Sequence, residues 1–401
     1  MLQRIYTFLG LQRSTLGLLL MVILVGMGER MSERFLPIYL IALGGSAISV
    51  GLLNGMDNLL SALYAFPGGY LSDRLGTKRA LLVFNSVAIL GFLIVVLIPT
   101  WQAVLIGAVF FLSWSAISLP ATMSLIAQVL PKNKQTMGVS MHSLVRRIPM
   151  ALGPVMGGVC IAAWGETTGV RVAFVFAMLF ALAAMVFQQK LIVEVNPNTG
   201  GRQRRATPEK NPLKLLRFMP PVLKRLLVAD ILVRFCEQIP YAFVVIWCMK
   251  VIEEPVTAIQ FGLLTSIEMV TALLVYIPVA YLADKSAKKP FVVITFIFFT
   301  FFPLVLIYCR SFEWLVAAFI LRGLKEFGEP TRKALIMELA PDNVKAGMFG
   351  MYYLIRDVFV SVAAFGGAFL WQVSPVTNFF VAFLFGVVGT LAFAVWGKDF
   401  N

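Results

Sequence analysis

Long apolar stretches recur along the whole chain and constrain its fold more than any other feature. Each is about 20 or more residues long, enough for a helix to cross the ~30 Å hydrocarbon core of a bilayer. The pattern predicts an all-α polytopic membrane protein with twelve transmembrane helices, called spans 1 to 12 below. In order, the spans cover roughly 14–41, 47–72, 79–98, 101–129, 137–164, 168–191, 219–249, 256–283, 289–309, 312–339, 346–372 and 374–397.

The charged residues are distributed unevenly around these spans. The chain has 34 Lys and Arg against 20 Asp and Glu, for a net charge of +14. Most basic residues in the loops and at the helix ends lie on one side of the spans, and only Arg171, Lys250 and Arg310 lie on the other. The positive-inside rule places the basic loops and both termini in the cytoplasm, as expected of a multi-pass protein of the bacterial inner membrane. Topology and membrane lipid therefore account for the basic excess, and no nucleic-acid partner is expected.

One hydrophilic stretch divides the spans into six and six. Residues 193–218 read VEVNPNTGGRQRRATPEKNPLKLLRF and are rich in Pro, Gly and charge, which is typical of a linker. We therefore predict an N-terminal six-helix bundle at 1–192, a cytoplasmic linker at 193–218 and a C-terminal six-helix bundle at 219–401.

The two halves match each other in sequence. ILVGMGE in span 1 matches ILVRFCE in span 7, so that Glu29 corresponds to Glu237. In the same way Asp57 corresponds to Glu268, and Arg146 of span 5 corresponds to Arg356 of span 11. An internal duplication of six-helix units is typical of transporters built from parallel repeats.

Three motifs carry a resemblance to a known family. GYLSDRLGTKRALL follows span 2, with a second copy, AYLADKSAKKPFVV, after span 8. It resembles the loop signature Gly-x-Leu-x-Asp-Arg-x-Gly of the major facilitator superfamily, with Thr77 at one normally basic position. GPVMGG in span 5 resembles a motif of proton-coupled efflux members, although Pro149 stands where that pattern has glycine. RGLKEFG in span 10 resembles a signature that the family has in its fourth helix. The resemblance covers essentially the whole chain and implies the major facilitator fold.

The loop and glycine motifs also have a physical interpretation. Glycines permit a tight turn, the aspartate accepts hydrogen bonds from a helix N-terminus, and the basic residues hold the cytoplasmic face. We expect a conformational latch formed by Gly69, Asp73, Arg74, Gly76, Lys78, Arg79 and Asp284. The glycines of span 5 predict close helix packing. The residues concerned are Gly153, Pro154, Gly157 and Gly158.

Charged residues also lie deep inside the spans. Each would cost about 2.5 kcal/mol or more facing lipid, so we expect them to face the interior. A buried carboxylate whose hydration or cationic neighbours change can gain or lose a proton. The candidates for proton coupling are Glu29, Asp57, Glu237 and Glu268. Structural ion pairs remain an alternative for Asp230 with Arg234, for Glu33 with Arg30 and Arg34, and for Arg356 with Asp357.

In the family that the chain resembles, spans 1, 4, 7 and 10 line a central cavity. Spans 2, 5, 8 and 11 pack at the seam between the halves, where Asp57, Arg146, Glu268 and Arg356 are candidates for cross-half pairs. The residues expected to contact substrate are Glu29, Arg30, Glu33, Tyr39, Arg146, Glu237, Tyr241, Arg322, Lys325, Glu326 and Arg356.

The sequence argues against other functional classes. It contains no P-loop, so we expect the proton gradient, with no cofactor, to drive a secondary active transporter. It has no nucleophile–base pair, so no enzyme is expected. The cysteines share no metal-ligand spacing, so we expect no metal site. We expect a monomer with protons, lipid and a small molecule as partners.

Two modes of transport remain open. Antiport that exports a charged or amphipathic compound is favoured by GPVMGG and by the pair Glu29 and Glu237, and we prefer it. Symport that imports an organic anion or zwitterion is favoured by the arginines within the spans, because guanidinium groups bind carboxylates bidentately.

Overall fold

The computed structural model describes residues 13–112, 114–129, 132–192, 219–283, 287–341 and 345–397. Every regular element in these ranges is helical, which confirms the predicted all-α fold. The predicted linker at 193–218 lies outside the described residues. The α-helices are Arg13–Glu33, Leu36–Ala42, Ala47–Leu75, Thr77–Leu97, Trp101–Phe111, Trp114–Val129, Lys132–Leu191, Pro221–Gln238, Val244–Ile246, Ala258–Ala283, Lys289–Tyr308, Phe312–Leu324, Glu329–Leu339, Lys345–Val373 and Pro375–Trp396.

These helices account for the twelve predicted spans. Within the described ranges, nine helical stretches are long and apolar enough to cross a membrane. One of them, His142–Leu191, has 50 residues and contains both span 5 and span 6. The backbone turns between them at Gly165, whose φ of 77° lies in the left-handed region that glycine tolerates best. Span 2 and the interrupted span 10 complete the set. Polar side chains lower the hydropathy of span 2, and the break leaves span 10 as two helices of only 13 and 11 residues.

The chain forms two compact units. The first consists of described residues within 1–45, 60–203 and 257–263, and the second of those within 46–59, 204–256 and 264–401. The units differ from the predicted bundles because the first turns of spans 2 and 8 belong to the unit formed mainly by the other half. Glycines permit this packing. A side chain on Gly51 would collide with Ala368 of span 11, and one on Gly262 would collide with the backbone of Pro154.

Spans 1, 4, 7 and 10 are interrupted, whereas the other described spans are continuous helices. Span 1 stops at Glu33 and resumes at Leu36, and span 4 leaves the helical conformation at Leu112. After Gln238, span 7 continues as short 3₁₀, α and π turns, Tyr241–Phe243, Val244–Ile246 and Trp247–Val251. Span 10 is broken between Leu324 and Glu329. The apolar pattern predicts no breaks in these four spans, although Pro120 in span 4 and Pro330 in span 10 indicate kinks. Discontinuous helices in transporters commonly mark the binding region.

Side chains from neighbouring helices satisfy the backbone groups that the breaks release. In the second unit, Nδ2 of Asn54 donates to the carbonyl of Gln238 at 2.8 Å. Nδ2 of Asn378 lies 3.4 Å from the carbonyl of Ile239, the next residue. In span 10 the amide of Gly328 donates to the hydroxyl of Thr295. Irregular backbone at membrane depth is tolerated only with such partners, so the breaks are built features of the fold.

Candidate functional site

A continuous network of buried ion pairs occupies the second unit and is centred on span 7. Among the described residues, five carboxylates and five cations form its buried part, and the exposed Lys333 adds a sixth cation 3.6 Å from Glu329. The acids are Asp230, Glu237, Glu268, Glu329 and Asp357, and the bases are Arg234, Arg322, Lys325, Arg332 and Arg356.

Lys325, in the break of span 10, joins two of the predicted carboxylates. Its Nζ lies 2.9 Å from Oε1 of Glu237 and 3.2 Å from Oε1 of Glu268. Glu237 also pairs with Arg234, with 2.6 Å between Oε2 and Nη1. Nε of Arg322 lies 3.3 Å from Glu268. The structure therefore brings together four of the predicted residues, and it surrounds Glu237 with positive charge.

Aromatic rings enclose the guanidinium of Arg322. Its Cζ lies 5.5 Å from the ring centroid of Tyr241, 4.9 Å from that of Phe302 and 5.6 Å from that of Phe319. Cation–π attraction adds to the Glu268 pair and restrains this charge. Tyr241, a predicted substrate contact, lies in the 3₁₀ turn of span 7 and is half-buried.

Arg332 joins Asp230 and Glu329 in the part of the network farther from Lys325, and it was not among the residues predicted from the sequence. It is 1% exposed, forms an ion pair with Asp230, and binds Glu329 through Nη2 at 2.6 Å and Nε at 3.1 Å. The hydroxyl of Tyr352 donates to Asp230 at 3.0 Å. Arg234 lies 3.4 Å from Glu329 and so connects the two ends. The spacing of three residues between Glu329 and Arg332 in a helix was the one sequence signal for this pair.

Two residues proposed for cross-half pairs form ion pairs inside the second unit. Nη2 of Arg356 lies 2.6 Å from Asp357, and its Nη1 lies 3.8 Å from Asp230. Glu268 pairs with Arg322 and Lys325, as described above. Arg356 and Glu268 therefore both have counter-charges in their own half. Span 7 supplies Asp230 to Arg356, and span 10 supplies Arg322 and Lys325 to Glu268.

The first unit has a smaller charged cluster on spans 1, 4 and 5. Glu29 is buried, and the hydroxyl of Ser115 donates to its Oε2 at 3.3 Å. Arg30 pairs with Glu33 at 2.7 Å in the last turn before the break of span 1. Arg146 of span 5 is half-buried and interacts electrostatically with both Glu29 and Arg30. Ser115, immediately after the break of span 4, was not predicted.

Span 5 approaches span 1 closely at this cluster. A Cβ atom on Gly153 would lie 2.6 Å from Cβ of Arg30, and one on Gly157 would lie 2.0 Å from the carbonyl oxygen of Met31. One on Gly158 would lie 2.4 Å from the carbonyl oxygen of Ala258. The glycines of GPVMGG therefore let helices meet where any side chain would separate them.

The remaining predicted contacts are more scattered. Tyr39 is fully buried in the helix Leu36–Ala42, and its hydroxyl has no hydrogen-bond partner among the described residues. Glu326 is half-buried in the break of span 10. Asp57 is half-buried in span 2, within the second unit.

The predicted latch lies at the junction of spans 2 and 3. Gly76 has a φ of 83° and turns the chain into the helix Thr77–Leu97. Nζ of Lys78 donates to the carbonyl of Gln189 at 2.8 Å, whereas Arg74 and Arg79 are exposed. Gly69 and Asp73 lie near the end of the helix Ala47–Leu75. The side chain of Asp73 and the whole of Asp284 lie outside the described residues. The latch remains a prediction.

The described part of the chain offers no group of three or more His, Cys, Asp or Glu side chains that could hold a metal ion. The cysteines, Cys160, Cys236, Cys248 and Cys309, are free and buried. What the structure does contain, in each unit taken by itself, is a set of buried charges beside two interrupted helices.

The fold and the comparisons define a multi-pass membrane transporter. The sequence model of the Major Facilitator Superfamily matches residues 18–259 and 255–399. The chain belongs to that superfamily. It is similar to an uncharacterized MFS-type transporter of Methanocaldococcus jannaschii, with 22% identity over 382 residues, which are 91% of this chain and 90% of the relative.

Solved structures agree on the fold. The nucleoside transporter NupG has 13% identity and a TM-score of 0.77, over 95% of this chain and 98% of that one. A POT family transporter in complex with 5-aminolevulinic acid has 14% identity and a TM-score of 0.74, over 94% of this chain and 96% of that one. At these identities the likeness establishes the shared architecture alone.

Proposed function

We propose that this transporter is a proton-coupled antiporter that exports a small charged or amphipathic molecule by alternating access. The proton gradient supplies the energy, and no cofactor is needed. Glu29 carries the proton. The observation that supports this assignment is the difference between Glu29 and its repeat counterpart Glu237.

Glu237 is held between two cations, Arg234 at 2.6 Å and Lys325 at 2.9 Å. Protonating it would remove the nearest negative charge from both buried cations, with only Glu268 left beside Lys325 and Glu329 and Asp230 left beside Arg234, which is costly. Glu29 instead accepts a hydrogen bond from the hydroxyl of Ser115. A hydroxyl is both donor and acceptor, so it can donate to a carboxylate or accept from a carboxylic acid. Glu29 is therefore suited to change protonation, and Glu237 to remain charged.

The surroundings of Glu29 support coupling to movement. It lies one turn before the break of span 1, and the glycines of span 5 pack against the next residues, Arg30 and Met31. A shift of span 5 along span 1 would move Arg146 relative to Glu29 and change the electrostatic field at the carboxylate. The same glycines belong to the motif that resembles proton-coupled efflux members, which favours export.

Symport of an organic anion or zwitterion is the second candidate, because Arg30 and Arg146 interact electrostatically with Glu29 and would attract an anion. The two modes are distinguished with purified protein in liposomes that contain a pH-sensitive dye. Cationic drugs, zwitterions and dicarboxylates are added outside, with and without an imposed pH gradient. Under antiport the lumen becomes alkaline as substrate enters. Acidification on addition of an anion would replace antiport by symport.

The role of Glu29 is tested in the same liposomes. Glu29→Gln is expected to abolish substrate-dependent proton flux, whereas substrate exchange without a gradient continues. Glu253→Gln, which changes an exposed carboxylate outside both charged clusters, is the control and is expected to keep proton flux. Full proton-driven uptake by the Glu29→Gln protein would exclude Glu29 as the proton carrier.

A further inference from the structure

The duplication places an arginine at the same position of spans 5 and 11, and the two arginines have different surroundings. Arg146 in the first half corresponds to Arg356 in the second. Because the two positions derive from one repeat, each is a natural control for the other. Comparing the two positions shows which acidic partners surround Arg356 and whether Arg146 has the same partners.

The second copy is neutralised by its own protein. Nη2 of Arg356 lies 2.6 Å from Oδ1 of Asp357, and its Nε donates to the same oxygen at 2.7 Å. Nη1 lies 3.8 Å from Asp230, and the guanidinium stacks 4.2 Å from the ring centroid of Tyr353. Two carboxylates and an aromatic face thus hold the charge of Arg356.

The first half has no acid at the positions that correspond to Asp357 and Asp230. Asp357 corresponds to Arg147, and Asp230 corresponds to Val22, at the offset that relates Glu237 to Glu29. Arg146 is half-buried, and its charged neighbours are Arg30, Glu29 and Arg147. In the part of the chain that the structure describes, Arg146 donates no hydrogen bond and forms no ion pair within 4.0 Å. Two of its three charged neighbours are cations and repel it.

The packing of span 5 on span 1 fixes where this charge lies. Pro149 contacts Gly26, with 3.0 Å between Cγ and an added Cβ, and Gly153 packs against Arg30. Arg146 precedes Pro149 by three residues, less than one helical turn. Later residues of span 5 thus pack against later residues of span 1, and the backbone of Arg146 lies beside the part of span 1 just before Gly26. The charge of Arg146 interacts electrostatically with Glu29, the proton carrier proposed above. A guanidinium at membrane depth is expected to have a partner, and none of the described residues places an acid within 4.0 Å of it.

We propose that Arg146 binds the anionic group of the transported molecule, a carboxylate, phosphonate or phosphate. The substrate's anion takes the place that Asp357 and Asp230 occupy beside Arg356. This inference rests on the proposed transport function and assigns a substrate class to it: the solute carries at least one negative charge, as the organic anion or zwitterion of the symport candidate, because an anion bound near Glu29 favours the protonated carboxyl. A planar guanidinium binds such groups bidentately and at fixed geometry, which a lysine does not reproduce.

The test uses the full-length protein in lipid nanodiscs without a pH gradient, so that it measures binding and is independent of proton coupling. The probes are acids paired with their neutral amides: benzoate with benzamide, phenylacetate with phenylacetamide, and succinate with succinamide. Phenylphosphonate is added as a second anion chemistry. Affinities are obtained from ligand-dependent shifts of thermal unfolding and checked by titration calorimetry.

The wild-type protein is expected to bind at least one acid tenfold or more tightly than its amide, the ratio expected for a charge-assisted hydrogen bond of about 1.5–3 kcal/mol. Arg146→Gln is expected to reduce this preference to about twofold or less. Arg146→Lys, which keeps the charge, retains part of it and guards against a folding defect in the glutamine variant. Arg147→Gln, the adjacent cation, is the matched control and keeps the preference.

Three results would overturn the assignment. These are a wild-type protein that prefers none of the acids, an Arg146→Gln protein that keeps the preference, and an Arg147→Gln protein that loses it while Arg146→Gln does not. If Glu29 failed as the proton carrier, the liposome flux assay would reveal it and the acid preference measured here would be unaffected. The two proposals therefore fail separately.

Discussion

Removing Arg332 is predicted to destabilise the second unit more than any exposed charge change. Arg332 and Asp230 are each 1% exposed, and Arg332 also holds Glu329 through two bonds. Arg332→Met replaces the guanidinium by an apolar chain and leaves two buried carboxylates short of a cation. Breaking a buried ion pair from one side costs about 3–5 kcal/mol. For a unit of about 150–250 residues this lowers the unfolding temperature by about 6–20 °C.

The neighbouring residue provides the control. Lys333 has a side chain that is 48% exposed and lies 3.6 Å from the same Glu329. Exposed ion pairs contribute about 0–1 kcal/mol, so Lys333→Met should change the unfolding temperature by a few degrees at most. Unfolding is followed in detergent by intrinsic fluorescence and by loss of the monodisperse peak in size exclusion.

The double variant decides whether charge balance is the cause. Arg332→Met with Glu329→Gln removes one charge of each sign and so leaves the net charge of the network as it is in the wild type. It should therefore be more stable than the sum of the two single effects predicts, by about 0.5–3 kcal/mol. An additive result, or an Arg332→Met protein as stable as Lys333→Met, would refute the reasoning.

Two further predictions concern packing around the breaks. Gly157→Ala places a Cβ 2.0 Å from the carbonyl oxygen of Met31, so spans 1 and 5 must separate. Substrate exchange in liposomes should fall several-fold while expression persists, and unchanged exchange would contradict the need for this contact. Asn54→Leu deprives the carbonyl of Gln238 of its donor. An unsatisfied buried carbonyl costs about 1–3 kcal/mol, so the unfolding temperature should fall and amides near residue 240 should exchange faster. Unaltered exchange there would show that the break needs no side-chain donor.

The span pattern could be predicted because hydropathy is a local property. About 20 apolar residues suffice to indicate a crossing, and the predicted spans coincide with the helices to within a few residues at most ends. The breaks could not be predicted in the same way. The stop after Gln238 depends on Asn54 and Asn378, which lie far away in the sequence and become donors only once the helices have packed.

In the candidate site, too, local features could be predicted from the sequence and contacts between distant residues could not. Depth along a helix identified Glu29 and Glu237 as buried carboxylates, and the repeat made them look equivalent. Their partners come from other helices, Ser115 in one case and Lys325 in the other, and no pattern in the spans themselves distinguishes them. Arg332 was missed because EPTRK resembles the polar end of a helix. Its burial becomes evident only when Asp230 of span 7 is brought against it.

The exchange of first turns between the two units has a consequence for biosynthesis. Gly51 and Gly55 enter the membrane early, yet the residues they pack against, Ala368 and Phe365, are made about 300 residues later, at about 5–20 residues per second. The start of span 2 is therefore inserted in the membrane before span 11, which supplies Ala368 and Phe365, has been synthesised. Because the start of span 2 belongs to the second compact unit, a nascent chain truncated before span 11 would leave Gly51 and Gly55 without the residues that they pack against.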